Sequence, residues 1–178
     1  ISRNAICKNG VVCTTTPIIR IEDSSNNLVP VSDTITASVV GTTNMAIQSG
    51  ASAVATNGTA TLSSLAINGM TGSYVAASLR FTSTNYSFIV NQQTLNLQTG
   101  AATKLALTTP AATAKSRIAF EQQPVVMVQD VWGNKVSLNG FSIRATVSGG
   151  ASVIGSATIS ASNSSATATF LDLGLQGL

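Results

Sequence analysis

The residues that could do chemistry in this chain are two cysteines and six carboxylates, because the sequence contains no histidine. A His-based triad, a His-ligated zinc site and a His-ligated haem are therefore excluded within it. Glu22 and Asp23 are adjacent, so on a strand their side chains would point to opposite faces and could not act as a pair. We predict that the protein is not an enzyme and that it has no catalytic residue and no cofactor. The remaining carboxylates are Asp33, Glu121, Asp130 and Asp172.

Calcium is the metal that isolated carboxylates could bind, since Asp23 and Asp130 lie at predicted turn ends. An aspartate-rich DxDxDG loop, the usual sequence sign of a calcium site, does not occur. Turn capping by the aspartate side chain explains both positions without an ion. We predict no metal site.

Cys7 and Cys13 flank Asn9-Gly10, a dipeptide typical of tight turns because both residues tolerate positive φ. A chain that folds back there brings the two cysteines together. Their five intervening residues fit neither the CxxC redox motif nor a zinc ribbon. We predict a Cys7–Cys13 disulfide, as in proteins of oxidising compartments; the alternative is two reduced, partly buried cysteines.

The elements that must position these residues are predicted to be strands. Ala, Ser and Thr make up 69 of the 178 residues, and only 8% are charged. Period-two alternation between Gly- and Asn-containing gaps indicates half-buried strands, and no segment has a helical period. We predict an all-β protein. The predicted strands lie near 17–22, 34–40, 52–56, 59–65, 73–80, 86–97, 104–108, 117–121, 124–129, 141–147, 157–161 and 166–171.

The charge pattern excludes two classes of partner. Nine Lys and Arg residues against six acids give a net charge of +3, and the basic residues are scattered. Nucleic-acid sites combine a clustered basic face with stacking aromatics, so we predict no nucleic-acid partner. No apolar run approaches the roughly 18–20 residues of a transmembrane helix, so we predict no direct membrane span.

The sequence repeats itself with a period near 107. Residues 17–23 match 124–130 at an offset of 107, and residues 60–67 match 168–175 at an offset of 108. A period of this size corresponds to one β-sandwich domain. We place the two units at 1–99 and 100–178.

The period also predicts that each unit is incomplete. The alternating segment 104–108 has a counterpart that would precede Ile1, and the segments 72–79 and 86–90 have counterparts that would follow Leu178. We expect the first unit to lack its opening strand and the second its last strands. The missing strands would come from flanking repeats of the same polypeptide or from neighbouring subunits, since an uncovered sheet edge is a liability.

Residues 123–136, QPVVMVQDVWGNKV, resemble the QPVVxVQDxxGNxV signature of bacterial Ig-like repeats, which occur in large surface proteins with invasin and intimin domains as distant relatives. Residues 102–107, and residues 58–67 leading to 72–74, resemble two further features of that family. The resemblance implies two tandem Ig-like β-sandwich units. Repeat one departs from the signature, because residues 23–27 lack the glycine and the cysteine hairpin lies where the segment leading to Gln-Pro would run.

Within the signature, Asp130, Gly133 and Asn134 predict a hairpin turn in which the aspartate caps backbone amides and Gly or Asn takes positive φ. Trp132, the only tryptophan, lies in the same turn. Its side chain could cover the end of the sandwich or pack on an adjacent unit; the alternative is a ligand-stacking residue.

The resemblance implies a structural segment of a long extracellular bacterial cell-surface protein, acting as a stalk, an adhesin or a self-assembling fibre or surface-layer component. The alternative is an Ig-like module that binds a glycan or a protein of the host or surface through its end loops. That alternative predicts an exposed aromatic patch around Trp132, Tyr74 or Tyr86.

Overall fold

The computed structural model of the protein describes residues 5–71, 77–87, 92–160 and 166–177. These residues form strands and turns without a helix, which confirms the predicted all-β class. Accordingly, none of the described ranges contains a helix that could cross a membrane. The chain divides into two compact units, Ile1–Gly100 and Ala101–Leu178, called unit 1 and unit 2 below.

Unit 1 is built on a five-stranded sheet with two smaller strand pairs. The five-stranded sheet has the order β1-β9-β8-β3-β5, in which β1 runs parallel to β9 and every other neighbour is antiparallel. The pairs are β2–β6 and β4–β7. The strands are β1 (Ala5–Lys8), β2 (Ile18–Arg20), β3 (Asp33–Val40), β4 (Met45–Ser49), β5 (Ser52–Ala55), β6 (Thr59–Thr61), β7 (Ala66–Gly69), β8 (Ser78–Ser83) and β9 (Gln93–Gln98).

The core of unit 1 collects side chains from all three sheets, as in a β-sandwich. Strand β3 shows why: Ile35 and Ala37 are buried, while the alternate Ser38 is exposed. Leu79 on β8 and Ile67 on β7 are fully buried in the same cluster. Small residues alternate with large ones there, so the sheets approach closely.

Unit 2 has three small sheets, with the strand orders β10-β12-β16, β11-β17-β14 and β13-β15. Its core consists of Val128, Val136, Ile143, Ala168, Phe170 and Leu173. The strands are β10 (Lys104–Thr109), β11 (Ile118–Ala119), β12 (Val125–Gln129), β13 (Ser142–Arg144), β14 (Ser152–Ile154), β15 (Thr158–Ser160), β16 (Thr167–Thr169) and β17 (Gly174–Gln176).

The strand pairs of the two units correspond at the offsets seen in the sequence. The β12–β16 pair matches β2–β6, with Val125 opposite Thr169 where Ile18 lies opposite Thr61. Strand β12 also pairs with β10, whereas β2 pairs only with β6 among the described strands. The β13–β15 pair matches β3–β5, but β3 also pairs with β8 and no described strand occupies that side of β13.

The predicted strand 141–147 is shortened to β13, Ser142–Arg144. In unit 1 the first half of β3 pairs with β5, and the Ala37 N–H still donates to the Ala51 carbonyl (2.7 Å). Among the described residues, the stretch from Ser38 to Val40 pairs only with β8. The second half of the predicted strand has no such neighbour among the described residues, so its alternation does not become a ladder.

Two other strand predictions are corrected or lie partly outside the described residues. The predicted strand 59–65 ends at Thr61, because Leu65 donates to the Leu62 carbonyl (3.1 Å) in a turn, and β7 follows. The predicted strand 73–80 lies partly outside the described ranges, and the strand found there, β8, runs on to Ser83.

Candidate functional site

The two cysteines form the predicted disulfide, Cys7–Cys13. Both side chains are buried. The intervening turn takes the predicted form, since Gly10 has φ 80° and the Val11 N–H donates to the Lys8 carbonyl (3.1 Å). The disulfide therefore closes a short hairpin, residues 7–13, whose sulphur atoms face the core.

This disulfide hairpin joins two sheets of unit 1. Its first arm belongs to β1, which pairs in parallel with β9 in the five-stranded sheet. Its second arm lies beside β7, where Val12 pairs with Ala66 and the Cys13 N–H donates to the Leu65 carbonyl (2.8 Å). The crosslink thus holds the chain where it crosses from one sheet to the other.

Asn9, which the sequence predicts only as a turn residue, also connects the two sheets through hydrogen bonds. Its side chain is buried, donates through Nδ2 to the Gly69 carbonyl (2.6 Å) and accepts from the Gly69 N–H (3.1 Å). Its own N–H donates to the Gln98 carbonyl (2.9 Å). One amide group therefore satisfies a buried edge of β7, which an apolar side chain could not do.

The Asp130 turn, residues 130–134, has the predicted capping geometry. Asp130 Oδ1 accepts from the N–H groups of Trp132 and Asn134 (both 2.9 Å), and Oδ2 accepts from Asn134 Nδ2 (2.8 Å). Gly133 has φ 87°. Asp130 is only 1% exposed, so the carboxylate depends on these donors in place of water.

The Asp23 turn, residues 23–27, repeats this geometry without the glycine. Asp23 Oδ1 accepts from the N–H groups of Ser25 (2.9 Å) and Asn27 (2.8 Å), and Oδ2 accepts from Asn27 Nδ2 (3.1 Å). Asn26 takes the left-handed conformation with φ 64°, where unit 2 has glycine. The departure of repeat one from the signature therefore leaves the turn intact.

The two aspartate turns differ in their surroundings. Asp23 is exposed, and hydrogen bonds from the backbone and the side chain of Asn27 hold the pKa of its carboxyl below the ordinary value of 3.8. Both turns use the carboxylate to cap amides of their own chain segment.

The exposed aromatics are distributed over both units. Trp132 is 44% exposed in unit 2 and Tyr86 is 47% exposed in unit 1. Tyr74, the third predicted member of an aromatic patch, lies outside the described residues. Val131, beside Trp132, is 65% exposed, so the Asp130 turn carries two neighbouring apolar side chains on its surface.

A buried aspartate that sequence reasoning missed lies at the start of β3. Asp33 is 3% exposed and accepts from the Thr34 N–H (2.8 Å), from Asn85 Nδ2 (2.7 Å) and from the Ser83 hydroxyl. The hydroxyl of Ser83 is the main cause that lowers the pKa of Asp33. Ser83 and Asn85 are 50 and 52 residues away, so no local pattern signals the contact.

The other carboxylates also have partners within their own unit. Glu22 pairs with Arg20 (3.5 Å), and Glu121 pairs with Lys115 (3.1 Å). Asp172 accepts from the N–H (2.8 Å) and the hydroxyl (3.1 Å) of Ser156. In the part of the chain that the structure describes, no three His, Cys, Asp or Glu side chains form a group that could hold a metal ion.

Comparison of the chain with protein-family models, with curated proteins and with solved structures gave no match.

Proposed function

We propose that the chain is a non-enzymatic structural segment of a long extracellular bacterial surface protein, made of two tandem Ig-like units. It would serve in a stalk, an adhesin or a self-assembling fibre or surface layer, with flanking repeats or neighbouring subunits as its partners. The observation that carries the proposal is one backbone hydrogen-bond frame that occurs twice with different side chains.

The frame recurs where the first strand of the repeat motif begins. The Leu62 N–H donates to the Pro17 carbonyl (3.2 Å) in unit 1, and the Phe170 N–H donates to the Pro124 carbonyl (3.1 Å) in unit 2. Each proline lies at a strand start, where no donor is required of it. The same contact thus aligns the same two strands in both units.

The frame also recurs at the segment that precedes the proline. The Cys13 N–H donates to the Leu65 carbonyl (2.8 Å), and the Phe120 N–H donates to the Leu173 carbonyl (2.9 Å). The disulfide hairpin therefore occupies the place in unit 1 that β11 has in unit 2. A crosslink and an aromatic ring fill equivalent places in the two cores.

The backbone hydrogen bonds repeat while the side chains vary, which supports a structural role that depends on the fold and not on particular side chains. The Asp23 turn and the Asp130 turn have the same capping hydrogen bonds. The two residues after the aspartate differ: they are Ser24-Ser25 in the first turn and Val131-Trp132 in the second. Repeats of this kind build extended arrays in which each unit spans distance. The disulfide supports an oxidising, extracellular location.

Force spectroscopy on the 178-residue chain tests the mechanical role. We expect unit 1 to unfold in a single step. The contour-length gain should be about 300 Å, because 100 extended residues span about 330–360 Å and the folded unit already spans part of that length. Smooth extension without a step would contradict a unit that resists force. The location is tested separately: antibodies against the chain should label intact cells of the source organism, and labelling only after lysis would contradict a surface protein.

A binding module is the second candidate, and the Asp130 turn favours it. The turn closes equally well with serines in unit 1, so its geometry does not require Val131 and Trp132 to be exposed. An exposed apolar pair at a turn is a contact surface for a sugar ring or an apolar protein side chain.

The matched test is Trp132→Ser, which copies Ser25 of unit 1 and keeps the capping bonds. Binding to a glycan array or to host surface proteins that disappears in this variant, with unchanged stability, would favour the module. Absence of binding by the unaltered chain would leave the structural role as the better account.

A further inference from the structure

We propose that unit 2 carries a receiving edge, formed by β13 and residues 145–148, for a hairpin of the β8–β9 type joined to the end of β17. The inference rests on the tandem-unit relation used in the proposed function. It goes further by naming the chemistry, the direction and the register of the segment that binds.

The edge is identified by comparison with β3. Strand β8 pairs antiparallel with β3 and places Phe81 opposite Ala37 and Leu79 opposite Val39. The residues of unit 2 that match Ala37 and Val39 are Ala145 and Val147. The apolar alternation continues through both, but among the described residues no strand pairs with them on that side. The sequence thus encodes a strand edge for which the described ranges contain no partner.

The edge itself carries an exposed apolar side chain. Val147 is 36% exposed, whereas its equivalent Val39 in unit 1 packs against the core. Unit 1 buries β8 and β9 side chains in that core, namely Leu79, Phe81, Leu95 and Leu97. An exposed apolar residue on an edge without a described partner is typical of a surface that a partner covers.

The chemistry of the occupant follows from β8. Its apolar residues, Leu79 and Phe81, are buried, while the alternate Arg80 and Thr82 are exposed. The backbone of a strand with this alternation can form antiparallel hydrogen bonds with the edge. Every second side chain of that strand is apolar and can be buried against the core.

The point of entry follows from β7 and β17. Strand β17 occupies the place of β7, and in unit 1 β8 begins within nine residues of Gly69, the end of β7. A hairpin joined to β17 therefore reaches the edge by the same short path. Its second strand would lie along residues 112–115, which match β1, the parallel neighbour of β9.

The test is a chain in which residues 70–98 are copied after Gly177. We expect the amides of Thr146 and Ser148, which match the β8-facing Ser38 and Val40, to exchange at least tenfold more slowly in the extended chain than in the 178-residue chain. Unchanged exchange at these two amides would overturn the proposal. Force-induced unfolding of unit 1 does not depend on this outcome, so the two proposals can fail separately.

Two substitutions in the extended chain control for nonspecific effects. Val147→Asp replaces a side chain that would be covered, so it should abolish the gain in protection. Thr146→Asp lies at the position of the exposed Ser38 and should keep it. If Val147→Asp and Thr146→Asp changed the gain in protection equally, the proposed register of the added strand would be wrong.

The extended chain should also elute as a monomer, because the hairpin is proposed to bind within its own polypeptide. Protection that appears only in a dimer would assign the edge to a second copy and overturn the proposed occupant.

Discussion

At the scale of the residue, the two aspartate turns show how one backbone geometry is held by carboxylates in different surroundings. Asp130 is almost fully buried, whereas Asp23 is exposed to water. Water can replace the protein acceptor for amides near Asp23, but it reaches Asp130 poorly. The same three hydrogen bonds therefore contribute more to stability in unit 2 than in unit 1.

Asp130→Ala should lower the free energy of unfolding of unit 2 by about 2 kcal/mol or more, because buried donors lose a charged acceptor. Urea denaturation followed by the fluorescence of Trp132, the only tryptophan, measures this directly. Asp23→Ala is the matched control and should leave the Trp132 transition in place. If Asp130→Ala and the unaltered chain unfolded at the same urea concentration, the capping bonds of Asp130 would not stabilise unit 2.

Asp33 predicts a pH dependence in unit 1. The Ser83 hydroxyl, with the Thr34 N–H and Asn85, holds its pKa below 3.8 in the folded state. A carboxyl with a lowered folded pKa favours folding above its unfolded pKa, and this contribution disappears as the pH falls through the folded value. Melting of the β3 amide signals should therefore occur at lower temperature once the pH falls below 3.8.

Asp33→Asn should lower the melting temperature of unit 1 at neutral pH and reduce its further loss on acidification. The difference between this variant and the unaltered chain cancels the contribution of Asp23, whose pKa is lowered in both. Ser83→Ala should weaken the pH dependence without removing it. An identical acid profile for Asp33→Asn and the unaltered chain would show that Asp33 does not couple folding to pH.

Residues with local partners could be predicted from the sequence, and residues with distant partners could not. The Asp130 turn was predicted because its donors lie within four residues of the carboxylate. The buried hydrogen bonds of Asn9 and Asp33 were not predicted, because their partners Gly69 and Ser83 lie 60 and 50 residues away. A polar residue in a loop-like stretch gives no sign of which distant edge it satisfies.

At the scale of the element, strand length depends on the neighbour as well as on the pattern. Alternation predicted a strand over 141–147, and β13 ends at Arg144 because no described strand lies beside the rest. The equivalent β3 continues to Val40 beside β8. Alternation therefore predicts which face is apolar, and pairing decides how far the ladder extends.

The disulfide hairpin should stabilise unit 1 alone. Replacing both Cys7 and Cys13 with serine should cost about 2 kcal/mol, the chain-entropy value for so short a loop. The β1 and β7 amide signals should report the loss, while the Trp132 transition of unit 2 should not move. Unaltered stability of unit 1 in the double variant would contradict a structural role for the crosslink.

Gly155 should be required for a close approach in unit 2. It has φ 77°, and a Cβ there would meet the backbone carbonyl of Asp172, as a Cβ at Gly50 would meet that of Ser64. Gly140 has φ 70° with open space around it, so Gly140→Ala should cost only the left-handed strain of about 1–2 kcal/mol. Gly155→Ala should lower the free energy of unfolding of unit 2, measured by Trp132 fluorescence, by clearly more than Gly140→Ala. Equal losses in the two variants would contradict the close contact between Gly155 and the Asp172 carbonyl.

At the scale of the whole molecule, the two units share one set of backbone hydrogen bonds but differ at one strand edge. Unit 1 buries side chains of β8 and β9 in a core that also holds the disulfide, whereas Val147 in unit 2 is 36% exposed. The period near 107 and the all-β class could be predicted from the sequence, because both depend on pattern alone. Which strands pair across a sheet depends on contacts between distant segments, and those required the structure.

Amide hydrogen exchange of the unaltered 178-residue chain tests this account most directly. We predict slow exchange at Ser38 and Val40, whose amides face β8, and exchange close to the unfolded rate at the equivalent Thr146 and Ser148. Equal, strong protection of both segments would show that the edge of unit 2 is already filled and would contradict the account.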